Sequence, residues 1–146
     1  MKTYVLIISR TFPATHPHKG EDTNFVKNIF TRIKIHTIRA NYELWEKRIE
    51  EVQAGEAELS LRYWQGKPYN SKQYEFCRLK TYHGVGIQKV EFKADEFGPL
   101  VNGRKQFMSD LAANDGLSLT DFTAWFKGYD LSKAMAIIHF TKFRYS

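Results

Sequence analysis

The sequence predicts an α+β domain built on a mostly antiparallel, barrel-like sheet, and three observations carry that prediction. A continuous aliphatic run opens the chain at 4–9 and two amphipathic helical patterns follow it. From 57 onward the hydrophobic period changes to two, before two short helical patterns and a last apolar run close the chain. With 146 residues the chain suits one domain, 1–146, large enough to bury a core without disulfide or metal staples.

Taken in order, the run at 4–9 has the pattern of a strand covered on both faces, which predicts a central position in the sheet. The following "RTFPATHPHKGED" holds two prolines and a glycine and has no apolar period, so it reads as a long loop of the kind that carries function. Asp22 or Thr23 can cap a first helix whose apolar face is Phe25, Val26, Ile29, Phe30 and Ile33, with Lys27, Asn28 and Arg32 on its polar face. Asn41 can cap a second helix with Tyr42, Trp45, Ile49 and Val52 on one side, ending at Gly55. In 57–64 the residues Ala57, Leu59, Leu61 and Tyr63 alternate with Glu58, Ser60, Arg62 and Trp64, as in a half-buried strand.

Strands at 74–80 and 85–92 follow, with a slip of alternation that predicts a bulge near Gln88 or Lys89. "GPLVNG" breaks the chain before a helical pattern at Phe107, Met108, Leu111 and Ala112. Ser118 and Asp121 form a capping signal for a last helix holding Leu119, Phe122, Trp125 and Phe126, stopped by Gly128. A strand at 135–143 ends the chain. There are no repeats, linkers or low-complexity segments.

The formal charge of +6, from 22 basic and 16 acidic residues, favours a polyanionic partner. Eleven Phe, eight Tyr and three Trp exceed the needs of a core this size and invite stacking on bases. A single cysteine, Cys77, excludes an intrachain disulfide and a thiolate zinc cluster; it points to a reducing compartment, and the cytoplasm is the expected one. "MKTYVLIISR" is too short for a signal-peptide core and lacks a small-residue cleavage site, so it reads as a strand. No apolar stretch approaches the roughly 20 residues that span a bilayer.

The most informative stretch is "KIHTIR" at 34–39. The plain account makes Lys34 a cation favoured by a helix C-terminus, Thr37 an ordinary strand threonine and Arg39 a surface ion pair. Against it stands a geometric point: in a plain strand, residues three apart face opposite sides, so Lys34 and Thr37 converge only where a turn or helix end intervenes. A second basic and aromatic group, Arg62, Trp64, Lys67, Tyr69 and Lys72, spans a strand end and loop, where bases can stack while cations meet phosphates. The alternative there is that Trp64 packs against a helix and the lysines are merely solvated. His16, Pro17 and His18 give a metal pattern without a Cys partner or an H-x-x-x-H helix, so neither metal nor cofactor is expected. His83 and His139 read as turn and sheet residues, and Cys77 as a small buried hydrophobe.

Lys34, Thr37 and Arg39 resemble the G-x-K-x-x-T-x-R signature of the ASCH domain family, small proteins with a PUA-like β-barrel, in which the signature also follows the first helix. The resemblance implies RNA or nucleoside binding. One bacterial branch hydrolyses acetylcytidine with the signature Lys and Thr and a Glu before a later helix. "GEAELSLRYW" looks like the family's strand after a Gly-marked turn, and "NDGLSLTDF" is similar to the segment holding the Glu, which puts Asp115 at the acid position. Two departures stand out: Arg32 occupies the place of the family's Gly, and Asp115 is one methylene shorter than Glu.

As an amidohydrolase, the chain would use Thr37 as nucleophile, Lys34 as base and Asp115 as acid, by the roles the resemblance implies. Lys34 serves as a base only if burial or nearby cations such as Arg32 and Arg39 lower its pKa. The same cluster suits the holding of a phosphate or a pyrimidine carbonyl. The sequence thus predicts an RNA- or modified-nucleoside-binding domain of the ASCH type, with amidohydrolysis of acetylated cytidine or a basic protein-interaction surface as alternatives.

Overall fold

Buried at all five positions, the strand Met135–His139 (β8) is the axis of the fold. The structure is a computed structural model and describes residues 1–92 and 98–146. Before β8 run β1 (Lys2–Ile7), α1 (Phe25–Phe30), β2 (His36–Arg39), α2 (Tyr42–Gln53), β3 (Ala57–Trp64), β4 (Gln73–Leu79), β5 (Gly86–Glu91), β6 (Leu100–Val101), β7 (Arg104–Lys105), α3 (Met108–Asn114) and α4 (Leu119–Trp125). Among the described residues the strands form two sheets, ordered β1-β3-β4 and β2-β8-β5-β6-β7, in which only the β1–β3 pair is parallel.

Both faces of β8 are used. Ala136 and Ile138 join a core made with Leu6, Ile8, Leu59 and Leu61 of the first sheet and with Trp45, Ile49 and Val52 of α2. Met135 and Ile137 join a second core with Val90, Leu111, Phe122 and Phe126, under α3 and α4. Each large aliphatic side chain so covered contributes about 1.5–3 kcal/mol of burial.

The α+β class and the predominance of antiparallel pairs agree with the sequence prediction. Among the described residues no strand ladder joins the two sheets, so hydrogen bonding does not close them into one barrel. Where β1 and β2 approach, a side chain makes the link: the Arg39 guanidinium donates to the Ile7 carbonyl at 2.6 Å.

Several local expectations change. Among the described residues β1 is an edge strand, paired only with β3, whereas β8 is flanked on both sides, by β2 and β5. An apolar run records that its faces are covered, not how many neighbours its backbone has. α1 ends at Phe30, and Phe30 and Ile33 are exposed. The register of β5 on β8 is unbroken, because the residue that interrupts the alternation, Gln88, points inward as a buried polar group; the irregularity lies instead between Leu61 and Arg62 on β3. "GPLVNG" holds β6 and the turn into β7. Two caps follow the sequence, Asn41 accepting from Leu44 N and Ser118 from Asp121 N, whereas the N-cap of α1 is Asn24 in a left-handed conformation without a side-chain cap, and Thr23 before it accepts only from Phe25 N.

The loop at 10–22 is a closed structure. Thr11 and Asp22 form an antiparallel bridge, and Phe12 and His16 are buried against Trp125 of α4. His16 Nδ1 accepts from His18 N, which leaves its Nε2–H to donate to the Asp121 carbonyl at 3.0 Å. Among the described residues no helix is long and apolar enough to cross a membrane, and no group of three or more His, Cys, Asp or Glu could hold a metal.

Candidate functional site

Lys34 lies where the chain changes partners. Lys34 and Asp115 form an isolated antiparallel bridge, Ile35 N donates to Asn114 O, and from His36 onward the chain pairs with β8. The helix end therefore lies before Lys34, and the switch at Ile35 brings Lys34 round to the side of Thr37 and Arg39. Those two share a face of β2 by their spacing of two. The turn that feeds this switch has Arg32 at φ +62, the left-handed region that glycine adopts at no steric cost.

Lys34, Thr37, Arg39 and Asp115 line one cavity of about 170 Å³, with Ile8, Ser9, Phe25 and Trp125 among its other walls. Lys34 is 2% exposed. Its Nζ donates to the Asp115 carbonyl at 2.9 Å and to Asp115 Oδ1 at 3.0 Å, and stands 4.0 Å from the centre of the Phe25 ring. Asp115 is the residue that ends α3. Gly116 after it has φ +79, and a Cβ there would meet the Lys34 side chain at 3.0 Å.

Burial pushes the Lys34 ammonium below its ordinary range, against the pull of Asp115, and Arg39 adds to the lowering. The exposed Arg32 has no part in this, contrary to the sequence expectation. Burial alone would raise the Asp115 carboxyl, but the Lys34 ammonium and the His36 hydrogen bond outweigh it and hold it below the usual carboxylate range. Burial also lowers Arg39, whose ordinary value is high enough to keep it charged. One of its donors serves Ile7, while Nε is buried with no acceptor among the described residues. The residues lining the cavity thus include two cations, one carboxylate and a guanidinium N–H with no acceptor among the described residues.

Ile8 and Ser9 also line a second, wider groove of about 570 Å³, bounded by Arg10, Phe12, Trp64 and Pro68. Arg10 donates to the carbonyls of Trp64 and Gln65 at 3.0 Å and lies over the Tyr63 ring. The Trp64 and Tyr69 rings are 5.2 Å apart, and Tyr69 is 87% exposed, with Lys67 and Lys72 exposed in the same loop. Arg62 is turned along the strand, donating to Ser60 Oγ and Gln73 Oε1. A larger cavity of about 620 Å³ beside α4 is walled by Phe92, Met108, Leu119, Phe122 and Leu131 and holds no pair of titratable groups among the described residues.

Local pattern did not reveal the layer behind Asp115. Asp115 Oδ1 also lies 3.2 Å from His36 Nδ1, and His36 Nε2 lies 2.7 Å from the Tyr145 hydroxyl, which accepts from Asn114 Nδ2 at 3.0 Å. The only sequence signal was the His inside "KIHTIR", two places from Lys34. His83 takes a turn position, accepting from Lys80 N, and His139 lies in β8. Cys77 is half-buried, and burial pushes its thiol up. Compared with known proteins, the chain matches no family model, no curated protein and no solved structure.

Proposed function

We propose that the cavity binds RNA or a modified nucleoside through one base, with Lys34, Thr37, Arg39 and Asp115 meeting its polar edge. The observation that carries this reading is the buried Arg39 Nε–H without an acceptor among the described residues, in a cavity that also offers a carboxylate. Such mixed donors and acceptors are what a base edge demands. At about 170 Å³ the cavity falls below the roughly 300–1,000 Å³ of small-molecule sites, so it suits one ring with the rest of the ligand outside. The groove that shares Ile8 and Ser9 would take that remainder. Trp64 and Tyr69 would stack a neighbouring base, and Arg32, Arg62, Lys67 and Lys72 would meet phosphates.

The test is binding of a labelled single-stranded RNA at several salt concentrations, with free acetylcytidine as competitor. Salt-sensitive binding that survives Thr37→Ala and falls in Arg39→Gln is expected. Indifference to both RNA and nucleoside would overturn the reading in favour of a protein-interaction surface.

The depressed Lys34 beside Asp115 favours a second reading, amidohydrolysis of acetylated cytidine with Thr37 as nucleophile, Lys34 as base and Asp115 as acid. Release of cytidine from acetylcytidine, lost in both Thr37→Ala and Lys34→Ala, would support it. An inactive wild type would reject this substrate. We read the fold as PUA-like, supported by the Arg39 bridge between β2 and β1 and by Leu117 and Trp125, which pack against both cores. The cytoplasm is the compartment that the lone Cys77 supports.

A further inference from the structure

The hydrogens of the buried chain behind Asp115 can be placed in order. Asn114 Nδ2 donates to the Tyr145 oxygen, and because His36 Nδ1 faces a carboxylate, which only accepts, the Tyr145 O–H points at His36 Nε2. His36 then carries its proton on Nδ1 and donates it to Asp115 Oδ1, the oxygen that also receives Lys34 Nζ. Both contacts fall on Oδ1, and among the described residues none is made by Oδ2.

The C-terminal segment is built to keep Tyr145 in place. Gln88 Nε2 donates to the Tyr145 carbonyl and Gln88 Oε1 accepts from Tyr145 N, both at 2.9 Å, as a strand backbone would. His139 Nε2 donates to the same Oε1 at 2.9 Å. Gln88, His36, His139, Asp115 and Tyr145 are all buried, and although His139 Nδ1 has no partner among the described residues, the bonds just named hold Tyr145 and His36 in one arrangement. A core that needed only packing would hold apolar residues at these places.

We infer that His36 is a positioning residue for the cavity: the Tyr145 hydroxyl holds it in the Nδ1–H tautomer, and it fixes Asp115 by Oδ1 so that Oδ2 is left for the ligand. The groups facing His36 are Asp115 from the end of α3, Tyr145 from the C-terminal segment and His139 across the β2–β8 pair, with Lys34 on the far side of Asp115. The ligand arm alone rests on the nucleic-acid reading of the cavity.

Long-range ¹H–¹⁵N correlation spectra of the wild type test the tautomer directly. A pyrrole-like Nδ1 and a pyridine-like Nε2 at His36 are expected, becoming a mixture in Tyr145→Phe; an Nε2–H tautomer in the wild type would overturn the inference. Carboxyl ¹³C titration separates positioning from mere packing. The Asp115 midpoint should move to higher pH in His36→Leu and stay near the wild-type position in His36→Asn, whose amide N–H replaces Nδ1–H. Equal behaviour of the two folded variants would overturn the role. In the ligand arm, a single-stranded RNA carrying acetylcytidine should bind tenfold or more weakly to His36→Leu and within about threefold of wild type to His36→Asn. If the wild type binds no RNA or nucleoside, the proposed function fails, and the tautomer and titration still decide the part of His36.

Discussion

Gly116 and Lys34 are in near contact: a Cβ built on Gly116 would lie 3.0 Å from the Lys34 Cβ and within 3.6 Å of its Cγ and Cδ. Gly116 also holds φ +79, so the position excludes a side chain both by backbone and by space. Gly116→Ala is expected to cost about 1–2 kcal/mol from the backbone alone and more from displacing Lys34, read by urea unfolding. An alanine variant as stable as wild type would contradict this.

Arg32 presents the converse case. It is exposed, and its left-handed backbone gains nothing from a Cβ. Arg32→Gly should be neutral to stabilising, by up to about 1 kcal/mol in denaturant midpoint after the entropy of glycine is set against the relieved strain. A clear loss would mean that the guanidinium holds the turn.

Lys34 and Asp115 should behave as one unit. Lys34→Met leaves a buried carboxylate without its cation and is expected to cost about 3–5 kcal/mol. Adding Asp115→Asn should recover part of that loss, so the double variant should be less destabilised than the sum of the singles. Additivity in a double-mutant cycle would show that the pair is not coupled.

His139 makes the fold sensitive to acid. Burial, with His36 and Arg144 nearby, depresses its imidazole to about 2, so it stays neutral in the folded chain while the unfolded chain takes up a proton near 6.5. Between those values the unfolded state binds more protons, and stability falls with falling pH by up to about 1.4 kcal/mol per pH unit. Denaturant unfolding at pH 7.5 and 5.5 measures the slope, which should flatten in His139→Gln. Asp115 adds a loss of its own only in stronger acid, because its depressed carboxyl must be protonated below the ordinary range. An unchanged slope in His139→Gln would show that another group titrates.

Tyr69 separates binding from stability. Its ring is exposed and touches Trp64, so Tyr69→Ala should leave the unfolding midpoint unchanged. The affinity for single-stranded RNA should fall by about 1–3 kcal/mol, a factor of roughly 5 to 150. Unchanged affinity would take the loop out of the interface.

Local signals determined much of this protein. The period-3.6 face of Trp45, Ile49 and Val52 and its Asn41 cap appear in the structure as the sequence predicts them, because each depends on neighbours within a few residues; the strand from Ala57 to Trp64 forms too, but Ser60 is buried and the register shifts after Leu61. The K-x-x-T-x-R spacing likewise brings Lys34, Thr37 and Arg39 to one cavity. What only the tertiary structure decided depends on partners far apart in the chain. The resemblance already put Asp115 with Lys34, but that Lys34 donates to its carbonyl and Oδ1 across 81 residues, and that Tyr145 reaches His36 across 109, is decided by the fold. β8 rather than β1 gained a strand neighbour on each side because cover on both faces does not specify backbone pairing, and Gln88 broke the alternation of β5 because its amide serves Tyr145 inside the core. Side-chain periodicity reports which faces are covered; the partner that covers them is chosen when distant segments meet.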